Sequence, residues 1–443
     1  MKITWIKPED KIEYELEQSR QEGKDISTIQ NKWKILKEEI SDTKLLRQKA
    51  LNLLDEIDSL PYETDLYKEE PVRLIEIKEK SKQLDYSNRL SLDEEELFDK
   101  ILGGWLGRTA GCLLGKPVEK ITRYGIREIL ESIDSWPLND YFTACGVPDE
   151  LLTKYPWNRH GGKESLKENI VCMPEDDDLN YTMLNLHIAE TYGFDFTVDN
   201  IAEAWLHSLP VMTVFTAERV AYFNCLNLIN PAEVATHHNP YREWIGAQIR
   251  ADLWGWMAAG NPVKAAELAY RDGSFTHVKN GVYGEMFVAA TIAASFLTDN
   301  PLDAVKMGLA VIPQKSRLAR AIRFAINLPR KTEDWGEAVD ILYKKYGHYH
   351  WVHTINNAAL LTAAIVYGKG NYEKTICLAV MGGWDTDCNG ATVGSILGTL
   401  LGAKRLPDKW IKPLNNRIRS SLKGFDNVRI DELAKRTFNL VDQ

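Results

Sequence analysis

Two aspartates two residues apart, fenced by glycines, form the stretch with the clearest chemical meaning: Gly382-Gly383-Trp384-Asp385-Thr386-Asp387-Cys388-Asn389-Gly390. On a regular helix, positions i and i+2 face different ways. Asp385 and Asp387 converge on one cation only if the backbone turns, and Gly382-Gly383 permits a turn. Hard carboxylate oxygens select Mg²⁺, Mn²⁺ or Ca²⁺ over Zn²⁺. An EF-hand loop fails here, because its twelfth position falls on Ile396 where a bidentate glutamate is needed. A solvated acidic turn is the plain alternative. A second acidic cluster, Asp176-Asp177-Asp178, follows Pro174 and leads into the apolar run Leu179 to Leu186. A helix N-terminus stabilises carboxylates modestly, but three adjacent aspartates repel one another and a cation would relieve that. The plain reading of this cluster is an over-endowed N-cap.

Both clusters sit at expected helix entrances, so the elements that carry them matter. Gly390, Gly394, Gly398 and Gly402 recur every fourth residue, as do Gly103, Gly107, Gly111 and Gly115. Each glycine inside a helix costs about 1 kcal/mol against alanine. Two such rows imply that two helices pack at unusually short distance. Pro117 ends the first helix and leaves Glu119 just beyond it. A surface glutamate is the plain reading of Glu119. Residues 135–170 mix Trp, Tyr, Pro and Gly and read as a long irregular segment over the core, where loops often cover a site.

From residue 197 onward amphipathic and apolar helical patterns follow one another, among them Ile245 to Ala259 and Gly284 to Leu297. Convincing alternating strands are lacking, so the expected fold is all-α, a compact multi-helix body over residues 96–443. Residues 1–95 are dense in Lys, Glu and Gln with an amphipathic leucine rhythm, and read as an N-terminal helical extension. Packing or an oligomer contact is the role expected of that extension. Asp272 to Met286 reads as a polar, glycine-bearing loop ahead of a helix. His277 there and His353 later are more often structural hydrogen-bonders than catalysts.

The chain has 443 residues with 44% hydrophobic and 10% aromatic, enough for a large core. A net charge of −9 argues against a general nucleic-acid binder. Six cysteines without a CxxC pair fit a reducing compartment. No apolar h-region opens the chain and no apolar run reaches the ~20 residues of a membrane helix. A cytoplasmic protein, with neither membrane nor stable nucleic-acid partner, is expected.

Taken in order, four motifs resemble the ADP-ribosylglycohydrolase family, which includes the dinitrogenase-reductase-activating and ADP-ribosyl-acceptor hydrolases. They are Gly103 to Glu119 (GxxxGxxxGxxxGxPxE), Asp176 to Thr182, Thr276-His277, and Gly382 to Gly402. The resemblance covers roughly residues 96–443. It implies hydrolysis of an N- or O-glycosidic bond of ADP-ribose or a related ribosyl compound, at a site holding Mg²⁺ or Mn²⁺, two ions, with Ca²⁺ a further option. Matched residue by residue, it makes Asp177, Asp178, Asp385 and Asp387 metal ligands, with Asp176 added. Glu119 becomes the proton-transfer group, with Asp177 beside it as the second catalytic carboxylate. Gly115, His277, Tyr283 and Gly284 become substrate contacts. Trp384 either stacks on a sugar or base or packs in the core. This sequence departs from the family pattern at Asp176 and Leu179, where threonines are usual, at the inserted Trp384, and at Cys388 and Cys112, which replace Thr and Asp. Two other readings compete. One is an all-α, Mg²⁺-dependent isoprenoid-synthase-like enzyme, disfavoured by the glycine rows and the Asp-Thr-Asp turn. The other is a non-catalytic family member that keeps the metals, disfavoured by intact Glu119 and the four matched aspartates.

Overall fold

The computed structural model describes residues 3–82, 84 and 90–441. Part of the stretch expected to join extension and body, residues 83 and 85–89, lies outside the described residues. So do Met1 and Lys2, which open the segment read for a signal peptide. Among the described residues there are 22 α-helices and one two-stranded antiparallel sheet, Arg417–Ile418 against Val428–Arg429. The fold is all-α, as expected. No described helix is long and apolar enough to cross a membrane.

The two glycine-rowed helices lie at its centre. Glu94–Gly115 opens on a capping box: the Glu96 N–H donates to the Asp93 carboxylate at 2.8 Å, and the Asp93 N–H donates back to the Glu96 carboxylate at 3.3 Å. Thr386–Leu401 runs antiparallel to it. A Cβ added at Gly103, Gly107 or Gly111 would lie well under 3.0 Å from the carbonyl oxygens of Gly398, Gly394 and Gly390 respectively, and the reverse holds for each partner. The backbones touch where side chains would otherwise stand, so each glycine's propensity cost is offset by close packing. Gly402 closes the end of that seam, its carbonyl carbon 2.7 Å from where a Cβ on Gly103 would stand. It caps the second helix at φ 80°, a backbone geometry that glycine adopts without strain. Around this pair pack Asn280–Ala294 and Thr354–Gly368, helices apolar on nearly every side and buried along almost their whole length.

Two expected helical boundaries are corrected. Ile245 to Ala259 is not one helix but a 3₁₀ turn, Gln248–Arg250, followed by Asp252–Met257. The Ile245 N–H is spent on the Val352 carbonyl at 2.9 Å, and Gly246 lies against the Glu218 carboxylate where a Cβ would not fit. Tyr283 is not in a loop, and the helix expected from Gly284 starts earlier. Their helix begins at Asn280, whose side chain is fixed on both sides: it accepts from the Leu318 N–H at 3.0 Å and donates to Glu243 at 3.1 Å.

The extension folds on this same chain. Pro8–Gln21, Ser27–Glu39 and Thr43–Asp58 enclose a small core that includes Ile12, Leu16, Ile29, Trp33, Leu54 and Ile57. Short helices Leu66–Glu69 and Leu74–Lys80 lead on from it. The extension meets the body through buried ions. The Arg242 guanidinium donates to both Glu15 oxygens at 2.8 and 2.9 Å and to Glu22 at 2.8 Å. Lys279 pairs with Glu22 at 2.6 Å, and Arg317 bridges Glu70 and Glu243, each at 2.7 Å.

Candidate active site

The first acidic cluster sits on a helix entrance because its own backbone caps it. Asp176 has the extended backbone of an N-cap, and its Oδ1 accepts the Asp178 N–H at 2.9 Å ahead of the helix Asp177–Tyr192. Its Oδ2 pairs with the buried Lys116 ammonium. Asp176, expected as an added metal ligand, therefore has both oxygens engaged. Asp178 is buried beneath it. Its Oδ1 meets Arg108 at 3.2 Å, and Arg108 in turn pairs with Asp252 at 2.8 Å. The Oδ2 of Asp178 is buried without a hydrogen-bond partner, a costly state for a carboxylate unless something else occupies it.

The second cluster is delivered by a sharp turn. Gly383 and Trp384 take positive φ of 77° and 54°, and Thr386–Leu401 begins at once. For a bulky residue that backbone is strained, and strain of this kind persists only where the surroundings fix it. Here Trp384 stacks on Tyr343 at 4.3 Å with a 10° interplanar angle, while the Tyr343 hydroxyl donates to the Gly382 carbonyl at 3.1 Å. Gly115 seats the same turn from the other helix. A Cβ there would strike Thr386, whose hydroxyl donates to the Gly115 carbonyl at 2.8 Å. Just past that helix, Glu119 accepts from the Asn158 side-chain amide and lies 3.1 Å from Lys120.

These pieces converge. Ligand atoms of Glu119, Asp385 and Asp387 lie within 4.8 Å of one another, as do those of Asp178, Asp387 and Cys388 and those of Cys112, Asp176 and Asp178. Asp176, Asp177, Asp385, Asp387 and Glu119 line one cavity of about 210 Å³. Burial, with Glu119 and Asp176 close by, pushes Asp387 up to about 7. Burial and then Asp387 raise Asp385, while burial and then Asp176 raise both Asp177 and Asp178 well above the usual carboxylate range. Burial also raises the Cys112 and Cys388 thiols, keeping both sulfurs protonated. Carboxylates outnumber the two sulfurs in these groups, and carboxylate oxygen is the donor type of Mg²⁺, Mn²⁺ or Ca²⁺. The unpartnered Asp178 Oδ2 and the repulsion recorded in the raised carboxylates are both what such a cation would relieve.

Other expected contacts lie elsewhere. His277 is buried with its Nδ1 2.7 Å from the Thr276 hydroxyl, and the Tyr283 hydroxyl donates to the Pro71 carbonyl beneath the extension. Gly284 faces Thr354 and Gln248, Gly115 serves backbone packing, and Trp384 packs on Tyr343. None of these five is among the residues lining the cavity. Residues that sequence reasoning missed take their place: Lys116, Asn158 and His160, and the aromatic walls Trp5, Phe215 and Trp244. The aromatic composition of 135–170 pointed toward Asn158 and His160. Nothing in the sequence pointed to Trp5.

Comparison with known proteins completes the picture. No curated protein matches the chain. A solved structure described as an ADP-ribosylglycohydrolase-related protein complex is similar at 18% identity and a TM-score of 0.47, over 79% of this chain and 100% of that one. The family model for ADP-ribosylglycohydrolase matches residues 93–443. That span takes in Glu119, both carboxylate turns and both glycine helices, leaves the first helices and Trp5 outside, and places the chain in the ADP-ribosylglycohydrolase family.

Proposed function

We propose that this glycoside hydrolase cleaves the N- or O-glycosidic bond of ADP-ribose or a related ribosyl compound, with Mg²⁺ or Mn²⁺ held by Asp178, Asp385 and Asp387. Two ions are the expected number and Ca²⁺ is a further option. The observation that carries this reading is the meeting of Glu119 with both acidic clusters at one cavity. Such a cation supplies Lewis-acid charge that orients sugar hydroxyls and acidifies water. The chain's residues do the rest. Glu119, the half-buried carboxylate at the cavity, takes a proton from the attacking water or passes one to the leaving group. Asn158 holds one Glu119 oxygen and Lys120 lies by the other, so the carboxylate is aimed without being locked inside a buried ion pair. Asp177, at the helix entrance, lines the cavity beside it and shares in orienting the substrate. The partner is a small-molecule or ADP-ribosylated substrate, with no nucleic acid or membrane required.

Incubation with a panel of ADP-ribosylated and ribosylated compounds, with and without Mg²⁺ or Mn²⁺, tests this by mass spectrometry. A released free ribosyl product that depends on the cation is expected. Equal product in a chelator, or none from any ribosyl compound, would sink the reading.

The carboxylates also predict a pH dependence. In the cation-free protein, Asp177, Asp178, Asp385 and Asp387 keep protons that the unfolded chain releases above about 4. The folded state therefore binds more protons, and stability falls as pH rises from about 4 through the Asp387 value of about 7. A divalent cation competes with those protons, so its binding tightens as pH rises. At a hundredfold excess over Kd, binding stabilises by about 2.7 kcal/mol. Thermal melts should show Mg²⁺ raising Tm more at pH 8 than at pH 5, and equal increments at both would refute the linkage.

A further inference from the structure

The acid cluster accounts for only one side of the cavity. Its other walls are Trp5, Phe215, Trp244 and Trp351, with Glu218 and Gly246 between them. Trp5 comes from the segment before residue 93, outside the family match. It is held there firmly. The Thr4 hydroxyl accepts from Arg219 at 2.9 Å, and the Trp5 ring meets Tyr241 edge-on at 5.5 Å and Trp244 at 6.3 Å. Trp244 is backed in turn by His350, stacked at 4.1 Å. One aromatic wall of the cavity is therefore supplied by the extension.

Glu218 is 2% exposed, lines this cavity, and its Oε1 has no hydrogen-bond partner. The nearest cation is Arg250, whose Nη1 faces Oε1 at 3.6 Å, beyond hydrogen-bond reach, while its Nε donates to Asp272 at 2.8 Å. His277 is 3.9 Å away. Gly246 offers no side chain over the carboxylate, where a Cβ would fall far under 3.0 Å from Oε1. A buried acceptor left in this state gains from any donor a ligand brings. The lining lysines do not compete for this acceptor. The two lining lysines are already paired, Lys116 with Asp176 and Lys120 with Glu119. Burial lowers the His350 pKa to about 4, so that ring is neutral near pH 7.

We propose that Trp5, Phe215, Trp244 and Glu218 form a subsite for a flat, positively charged aromatic ring, with Trp5 as the specificity-determining residue contributed by the extension. Aromatic faces attract both a stacked ring and its positive charge, and the carboxylate takes its N–H donors. As a binding site the subsite stands by itself. As the place where part of the substrate is held, it rests on the glycosidase reading above.

Benzamidine, benzamide and benzoate share one ring and differ in charge, so isothermal titration of the full chain with each reads the subsite without turnover. Benzamidine should bind about tenfold more tightly than benzamide, a preference of ordinary size for a charge-assisted contact, and benzoate more weakly still. Trp5→Ala should weaken benzamidine about tenfold, with Trp5→Phe recovering most of the loss. Glu218→Gln should remove the preference for benzamidine over benzamide. In all three variants the Mg²⁺ titration should match that of the unsubstituted protein, which shows that the fold and the acid cluster are intact. Benzoate binding as tightly as benzamidine would overturn the proposal, as would no binding by any probe. So would benzamidine affinity indifferent to Trp5→Ala. None of those outcomes would touch cation-dependent hydrolysis, which the ribosyl panel reads separately.

Discussion

Glu119→Gln should lower turnover on the true substrate by ~10²–10⁴-fold, the usual contribution of a positioned acid or base. Cation binding should survive it. The amide keeps an oxygen where the carboxylate had one, still accepts from Asn158, and leaves Asp178, Asp385 and Asp387 in place. A second effect reads the Glu119 charge at the neighbouring carboxylates, whatever its role in turnover. After burial, Glu119 is the largest influence raising Asp387. Removing its charge lets Asp387 ionise at lower pH, so the rise of cation affinity with pH should move toward acid in the variant. Asp385→Ala should instead damage both turnover and cation binding, since it removes a donor from the Glu119–Asp385–Asp387 group. Steady-state kinetics beside calorimetric cation titrations at several pH values distinguish these. Intact turnover in Glu119→Gln would make Glu119 a bystander and the proton-transfer assignment wrong.

Much of this arrangement is legible in the residues. Glycine rows every four positions have one economical meaning, two helices in backbone contact, and Gly107 on Gly394 is that contact. Asp385 and Asp387 require a turn to converge, and Gly383 with Trp384 makes it. Glu119 follows from Pro117 ending a helix whose last glycine touches the same turn. Such features repeat or sit next to one another in sequence, so pattern exposes them. What pattern does not expose is the single long-range contact. The Tyr283 hydroxyl bonds to Pro71, 212 residues away, and no periodicity records that. The ion pair of Asp176 with Lys116, 60 residues earlier, is another contact that no local pattern records. Trp5 lies in a stretch with no chemical signal, and only the docking of the extension carries it to the cavity. For His277 the sequence allows a structural or a substrate-facing role, and its burial beside Thr276 and Arg250 favours the structural one.

Arg242→Met should cost about 3–5 kcal/mol of stability, the usual result of removing one partner from a buried ion pair. Arg242 binds Glu15 and Glu22 together, and both carboxylates are buried. Without the guanidinium, Glu15 loses two hydrogen bonds and keeps that from Ser19, while Glu22 retains Lys279 and Gln18. Urea denaturation should show a lower midpoint, and replacing Glu15 and Glu22 by Gln in the same chain should recover part of the loss, because it is the orphaned charge that destabilises. The pH dependence has a fixed sign. Burial works to raise Glu22, but Arg242 and Lys279 outweigh it and hold the carboxyl far below its ordinary value. Its contribution is therefore present above about 4.3, the unfolded glutamate value, and is lost as pH falls toward the folded one. Arg242→Met should flatten that acid-side loss. The same ion pairs hold the extension on which Trp5 rides, so a loosened extension also opens one aromatic wall of the cavity. Benzamidine binding in Arg242→Met should then weaken under conditions where the body is still folded, while the Mg²⁺ titration is unchanged. If benzamidine affinity followed global unfolding alone, the extension would be a stabilising cover and not part of the binding wall.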